Sequence, residues 1–207
     1  VAIANGYATL NQVKAALRIA DATDDALIEM ATESASRLID AYCGRNFISA
    51  GTAPTTRYYS TENPYVVNID DARSISVVQT STSEDGVFDT TWTVGTPGSD
   101  VDAQPEPLND YIGGITWPYT RIRAVGDYVF PTGPEAVVKV TAVYGWPSVP
   151  TVVAQAAVIQ ASRLFARLQS PLGVAGFGDM GIMRVSSKLD PDVAQLIEGY
   201  RKVTGVA

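Results

Sequence analysis

Gly176-Phe177-Gly178-Asp179-Met180-Gly181 has the G-x-G-x-x-G spacing that, in a dinucleotide-binding fold, lets a tight backbone turn meet a pyrophosphate at a helix N-terminus. That chemistry needs a strand before the glycines and a helix after them. Here a long helical pattern and Pro171 come first, and the β-prone Ile182-Met183-Arg184-Val185 follows, so the glycines read as a connecting arm. Asp70, Asp71, Glu84, Asp85, Asp89, Asp100 and Asp102 carry the oxygen chemistry of a hard-cation site or of a hydrolase's paired carboxylates. They lack EF-hand spacing and most sit at turn signals, where solvated carboxylates are expected. The chain has no histidine, which removes the Ser-His-Asp triad, the Cys-His dyad and the histidine general base. Its single cysteine, Cys43, rules out an intrachain disulfide and a cysteine-built zinc or iron–sulfur site, and is expected to be a small packed side chain. No catalytic residue, cofactor or metal site is expected. A carboxylate-dependent hydrolase stays a minor alternative at this point, and the sequence pattern favours a protein without catalysis.

Trp92, Trp117 and Trp146, with Tyr58, Tyr59, Tyr65, Tyr111, Tyr119 and Tyr128, concentrate aromatic surface in the middle of the chain. Such a set can stack on a sugar, and it can equally form a small β core or a protein interface. The core or interface reading is preferred, with a glycan-binding module as the alternative. Fifteen Lys and Arg against 22 Asp and Glu give a net charge of −7. A protein that grips phosphate backbones should be basic, so no specific nucleic-acid binding is expected. The acid excess lies in residues 48–135, with twelve acids and four bases, whereas residues 136–169 have three bases and no acid. No stretch approaches the roughly 20 apolar residues of a membrane span. The first ten residues do not read as a signal peptide, so a soluble protein made in the cytoplasm is expected.

The elements that position these residues are legible from local pattern. Thr9 and Gln12 make a capping box opening a helix over 10–19, with Leu10, Val13 and Leu17 on one face. Thr23 or Asp24 caps a second helix, in which Leu27, Met30, Ala31, Ala35, Leu38 and Tyr42 recur at helical spacing until Gly44 ends it. Short β-type runs follow over 55–59, 65–69, 74–80, 90–94, 114–117 and 136–144, with 100–110 read as an exposed loop. Pro147 and Pro150 stop the last strand, and the longest helix is predicted over 151–169, its inward face being Val153, Ala156, Ala157, Leu164 and Leu168. Asp190-Pro191 opens a final helix to about Lys202. The predicted fold is α+β: a small α-helical bundle with an inserted antiparallel β-rich module and an extended C-terminal arm plus short helix. Residues 1–47 supply the first helices, 48–135 a peripheral acidic β module, 136–169 a strand and the central helix, and 170–207 the arm and last helix.

Several runs together resemble a known family. They are Val143-Tyr-Gly-Trp-Pro-Ser-Val-Pro150, a long helix, Ser170-Pro-Leu-Gly-Val-Ala-Gly-Phe-Gly-Asp179, Met183-Arg-Val-Ser186, and Asp190-Pro-Asp-Val193 with Tyr200-Arg201. This series resembles the head-to-tail adaptor (head–tail connector) proteins of tailed phages, particularly phages of actinobacteria. The opening Tyr7-Ala-Thr-Leu-Asn-Gln-Val-Lys-Ala-Ala-Leu17 and the helix ending Tyr42-Cys-Gly-Arg45 are similar to the start of the same connectors. The likeness covers about residues 7–47 and 137–202, and leaves the acidic segment 48–135 without a counterpart. It implies a structural protein of the virion neck, built as a ring of about twelve copies by heterologous contacts. The implied partners are the portal, a stopper, head-completion or tail-terminator protein, and its own copies. DNA would pass through the ring without specific binding, and no membrane is involved. The apolar residues of the arm, Phe177, Met180, Ile182, Met183 and Val185, with Arg184, Tyr200 and Arg201, are expected to dock on the portal by adding a strand-like edge, the alternative being that the arm folds back on its own subunit or grips the neighbouring copy.

Overall fold

The computed structural model describes residues 3, 5–48, 51–82, 86–96, 103–109, 117–168, 174–176, 182–184 and 189–202. The chain divides into two compact units, one of residues 1–48 and 149–204, the other centred on residues 49–148. The first holds ten acidic and ten basic residues, the second twelve acidic and five basic, so the whole net charge of −7 belongs to the second.

The first unit is helical. In α1 (Leu10–Leu17) the Thr9 hydroxyl accepts from the Gln12 N–H at 3.3 Å while the Gln12 side chain accepts from the Thr9 N–H at 2.8 Å, which is the expected reciprocal cap. The helix stops two residues short of Ile19 because Arg18 turns left-handed, with φ 59°. Helix α2 (Asp25–Cys43) ends where Gly44 takes φ 64° and its N–H reaches the Asp40 carbonyl at 2.8 Å.

The inward face of α2 differs from the expected stripe. Ile28, Ala31, Thr32, Ala35, Ser36, Ile39 and Cys43 are buried, whereas Leu27 and Met30 are 42% and 60% exposed. The buried face mixes Ile28 and Ile39 with the small Ala31, Thr32, Ala35 and Ser36, and α2 packs against α3 (Thr151–Leu168), whose own buried face carries Ala156, Ala157 and Ala161. Thr32 and Ser36 can be buried there since each hydroxyl donates to a carbonyl one turn earlier, at 2.7 and 2.8 Å.

Helix α3 packs on α1, α2 and α4 (Pro191–Ile197). Its buried face ends in Phe165, while Leu164 is half-buried and Leu168 is 60% exposed, so the expected inward placing of both leucines is corrected. Gln160 is buried and accepts from the Asp190 N–H at 3.1 Å, and Asp190 in turn caps α4 by accepting from Asp192 N–H at 3.0 Å. A 3-10 helix over Glu198–Tyr200 follows, and Lys202 N–H donates to the Cys43 carbonyl at 2.7 Å.

The second unit is an antiparallel sheet of order β1-β6-β2-β5-β4, with β3 pairing on β2. Its strands are β1 (Thr55–Thr61), β2 (Val66–Thr80), β3 (Thr90–Trp92), β4 (Pro105–Asn109), β5 (Tyr119–Ala124) and β6 (Gly133–Tyr144). Val67, Ile69, Val78, Ile122, Phe130, Val138, Val140 and Tyr144 pack as its core. The strands predicted over 65–69 and 74–80 are one strand, β2, whose register breaks between Asn68 and Ala72 and again near Ser74 and Ile75. Those irregularities let the first half pair with β5 and the second with β6.

The predicted exposed loop over 100–110 contains β4. Pro105, Glu106 and Pro107 are buried there, and Glu106 is held by Arg123 at 2.9 Å. Proline is tolerated because β4 is an edge strand. The run predicted over 114–117 lies outside the described residues except for Trp117. The strand assigned to the bundle side of the chain is β6, which lies between β1 and β2 in the sheet. The alternation of Val138, Val140, Ala142 and Tyr144 is inward-facing in this sheet, so the β unit extends past residue 135 to about Ser148.

The arm contains a second, two-stranded sheet. β7 (Val174–Gly176) and β8 (Ile182–Arg184) pair antiparallel, Val174 opposite Arg184 and Gly176 opposite Ile182.

Candidate functional site

The residues expected to meet the portal fall into three groups. Phe177, Met180 and Val185 lie outside the described residues. Ile182, Met183 and Arg184 form β8, whose backbone pairs with β7. Tyr200 and Arg201 follow α4, and the structure separates them.

Tyr200 is buried at 7% exposure, its ring edge-on to Phe47 with centroids 5.8 Å apart. It is therefore a core residue of the helical unit, a correction to its expected role, because the 3-10 turn after α4 rotates it inward. Arg201 stays exposed, pairs with Glu198 at 3.0 Å and lies 5.2 Å from the Tyr42 ring centroid. The Tyr42 hydroxyl donates to Glu198, and this bond with the nearby guanidinium holds the Glu198 carboxyl below its usual range.

A second polar group surrounds Phe47, and only Tyr7 of it was singled out in the sequence. The Tyr7 hydroxyl donates to Asp40 and accepts from the Phe47 N–H at 2.9 Å, while the Tyr7 N–H donates to Ser36 at 3.0 Å. Burial, reinforced by Asp40, raises the Tyr7 phenol pKa. Burial also raises the Asp40 carboxyl above the ordinary 3.8, against the pull of Tyr7 and of Arg37, which lies 3.2 Å away. A carboxyl raised on folding binds more proton in the native state than in the unfolded one, so its contribution to stability falls as pH rises from 3.8 through its folded value. Asp40→Asn keeps an acceptor for Tyr7 and removes this titration. Melting curves across that range should show wild type losing stability relative to the variant as pH rises; a constant difference would show that Asp40 is not shifted.

The acids weighed as hydrolase or metal ligands have structural partners where they are described. Asp70 takes Arg57 at 2.6 Å and the Tyr59 hydroxyl at 3.1 Å, with Arg57 stacked 4.0 Å from the Tyr144 ring centroid. Asp71 accepts from the Trp146 indole at 2.9 Å, and Asp89 from the Thr90 hydroxyl at 3.2 Å. Glu84, Asp85, Asp100 and Asp102 lie outside the described residues. Among the described residues no group of three or more His, Cys, Asp or Glu could hold a metal ion, and no helix is long and apolar enough to cross a membrane. Burial pushes the Cys43 thiol up to about 12, so it is not a reactive thiolate. Trp92, Trp117 and Trp146 are 8%, 4% and 2% exposed, which leaves no indole face for a sugar to stack on.

The chain is similar to known proteins over part of its sequence and over its whole fold. Residues 7–88 match the model of a family described as phage gp6-like head-tail connector protein. The match runs from α1 through β2, so it includes strands that the sequence resemblance left without a counterpart. The fold is similar to a chain from the neck of an empty GTA (gene transfer agent) particle computed with C6 symmetry, at TM-score 0.56 and 17% identity, covering 100% of this chain and 95% of that one. A chain from the neck of the native GTA particle computed with C12 symmetry gives TM-score 0.55 at 17% identity, with the same coverage. A chain from the virion of the native GTA particle gives 0.53 at 18%, again with the same coverage. No curated protein sequence matches the chain. The resemblance to head–tail connectors is borne out.

Proposed function

We propose that this protein is a structural, non-enzymatic component of the virion neck, forming a ring beneath the portal that extends the DNA channel toward the stopper or tail. The observation that carries this reading is the likeness of the whole chain, both units included, to chains of a particle neck, joined to the connector-family match over residues 7–88. The C6 and C12 symmetry of those necks supports a ring of about twelve copies. The charge balance is compatible with a conduit: ten bases offset ten acids in the helical unit and the sheet unit is acidic, so the chain carries no excess of positive charge with which to hold sliding DNA.

In this reading the segment around β7 and β8 docks on the portal through Phe177, Met180, Ile182, Met183, Arg184 and Val185, with Arg201 at the margin. A two-stranded hairpin alone is marginal in water, and addition to a partner's strand edge supplies the missing neighbour. The test is co-purification with portal. Phe177→Ser combined with Ile182→Ser and Val185→Ser should weaken binding at least about tenfold, the equivalent of ~1.4 kcal/mol. Unchanged affinity would remove the arm from the interface. Truncation after Gln169 is a poorer test, because it also strips the buried Val193, Ile197 and Tyr200 from the helical unit.

A further inference from the structure

The α2 helix is apolar on two sides, and among the described residues only one of them is fully buried. Opposite the buried Ile28–Cys43 stripe lies a second row at three- and four-residue spacing: Leu27, Met30, Ser34, Leu38 and Ala41. Met30 is 60% exposed, Leu27 42%, and Leu38 half-buried. Ser34 and Ala41 are small and exposed, so another helix can approach closely. Glu29, Glu33 and the Arg37–Asp40 pair flank the row on one side, giving that border a net negative charge.

A complementary surface exists on the same unit. Helix α3 contains no acid, and its last turn presents Leu168, 60% exposed, beside Arg167. Arg163 is engaged by Asp190 and Asp192, but Arg167 has no ion-pair partner among the described residues. One surface is apolar with acidic flanks, the other apolar with a basic neighbour.

We infer that the outer face of α2 in one copy seats the Arg167–Leu168 end of α3 from the next copy, and that this is the contact that closes the ring. The inference rests on the connector reading above and names the surface that reading requires. A cyclic assembly needs two different, complementary faces on each subunit, and these two faces differ. The occupant is a second copy because the helical unit is charge-balanced, whereas contact through the sheet unit would bring like net charges together.

The test uses the full chain and two exposed substitutions, Met30→Asp and Leu168→Asp, followed by size-exclusion chromatography with light scattering. Wild type should form rings. Each variant alone should run as a single 22.0 kDa chain with a wild-type melting curve. An equimolar mixture should give pairs and nothing larger, since each variant keeps the face the other has lost. Should either aspartate variant melt early, Met30→Ser and Leu168→Ser replace it. Rings formed by either variant as readily as by wild type overturn this contact and leave the ring reading standing. Variants that fail to pair when mixed overturn the α2–α3 assignment. Wild type that stays a single chain at every concentration overturns the ring reading and the contact with it.

Discussion

Phe47→Ala should lower the stability of the helical unit by about 3–5 kcal/mol, among the largest effects available to one substitution. Phe47 has no solvent exposure and stands edge-on to two rings, Tyr7 at 5.7 Å and Tyr200 at 5.8 Å. It thereby joins the segment before α1 to the 3-10 turn after α4, which lie far apart in the chain. Each edge-on aromatic pair adds about 0.5–1.5 kcal/mol beyond the area it buries. Alanine removes both pairs and leaves a ring-sized cavity. The Phe47 N–H bond to the Tyr7 hydroxyl remains, so the loss measures packing rather than backbone bonding. In a far-ultraviolet circular dichroism melt, the helical transition should fall by roughly 10–20 °C. Phe47→Leu, which refills part of the space, should recover about half. A melting temperature unchanged by the alanine variant would mean that Phe47 is not a core residue.

Trp146→Ala should be as damaging to the sheet unit, for a different combination of reasons. Trp146 is 2% exposed, packs edge-on to Trp117 at 5.3 Å, and donates its indole N–H to Asp71 at 2.9 Å. The Asp71 carbonyl accepts in turn from the Gly145 N–H at 2.6 Å, so backbone and side chain pin the end of β6 against β2 at one point. Truncation removes a large apolar side chain, costing about 3–5 kcal/mol, and takes the indole donor from a buried carboxylate. Trp146→Phe isolates the second part. It preserves most of the volume and should cost about 1.5–3 kcal/mol, the range for a hydrogen bond to a charged group. Near-ultraviolet circular dichroism should report loss of the fixed Trp117 environment together with the lowered melting point. If the phenylalanine variant is as stable as wild type, the indole–carboxylate bond contributes nothing.

The residues that proved legible in the sequence act over a few positions of the chain. Thr9 with Gln12, Gly44, and Asp190 with Pro191 begin or end helices through bonds between near neighbours, so their spacing suffices to locate both ends of α1, the end of α2 and the start of α4 to within about two residues, whereas α4 gives way to a 3-10 turn after Ile197, about five residues before the expected end. The absence of histidine and the single cysteine narrowed the chemistry before any fold was known. The connector resemblance rested likewise on local runs of residues.

Partner choice across long separations was decided only in the tertiary structure. On α2, helical periodicity is satisfied equally by the Leu27–Met30–Leu38 row and by the Ile28–Ala35–Ile39 row. The second is the one buried, in a unit where α2 packs on α3, more than a hundred residues away. The strand 133–144 carries the same alternation whether it ends one domain or lies inside another; its place between β1 and β2 depends on pairings with residues about 60 to 90 positions earlier. Tyr200 reads as a surface residue of a terminal helix until Phe47 is brought beside it. Local bonds are specified by spacing along the chain, whereas which apolar face is buried depends on the shape of the surface it meets, and that surface exists only after the chain has folded.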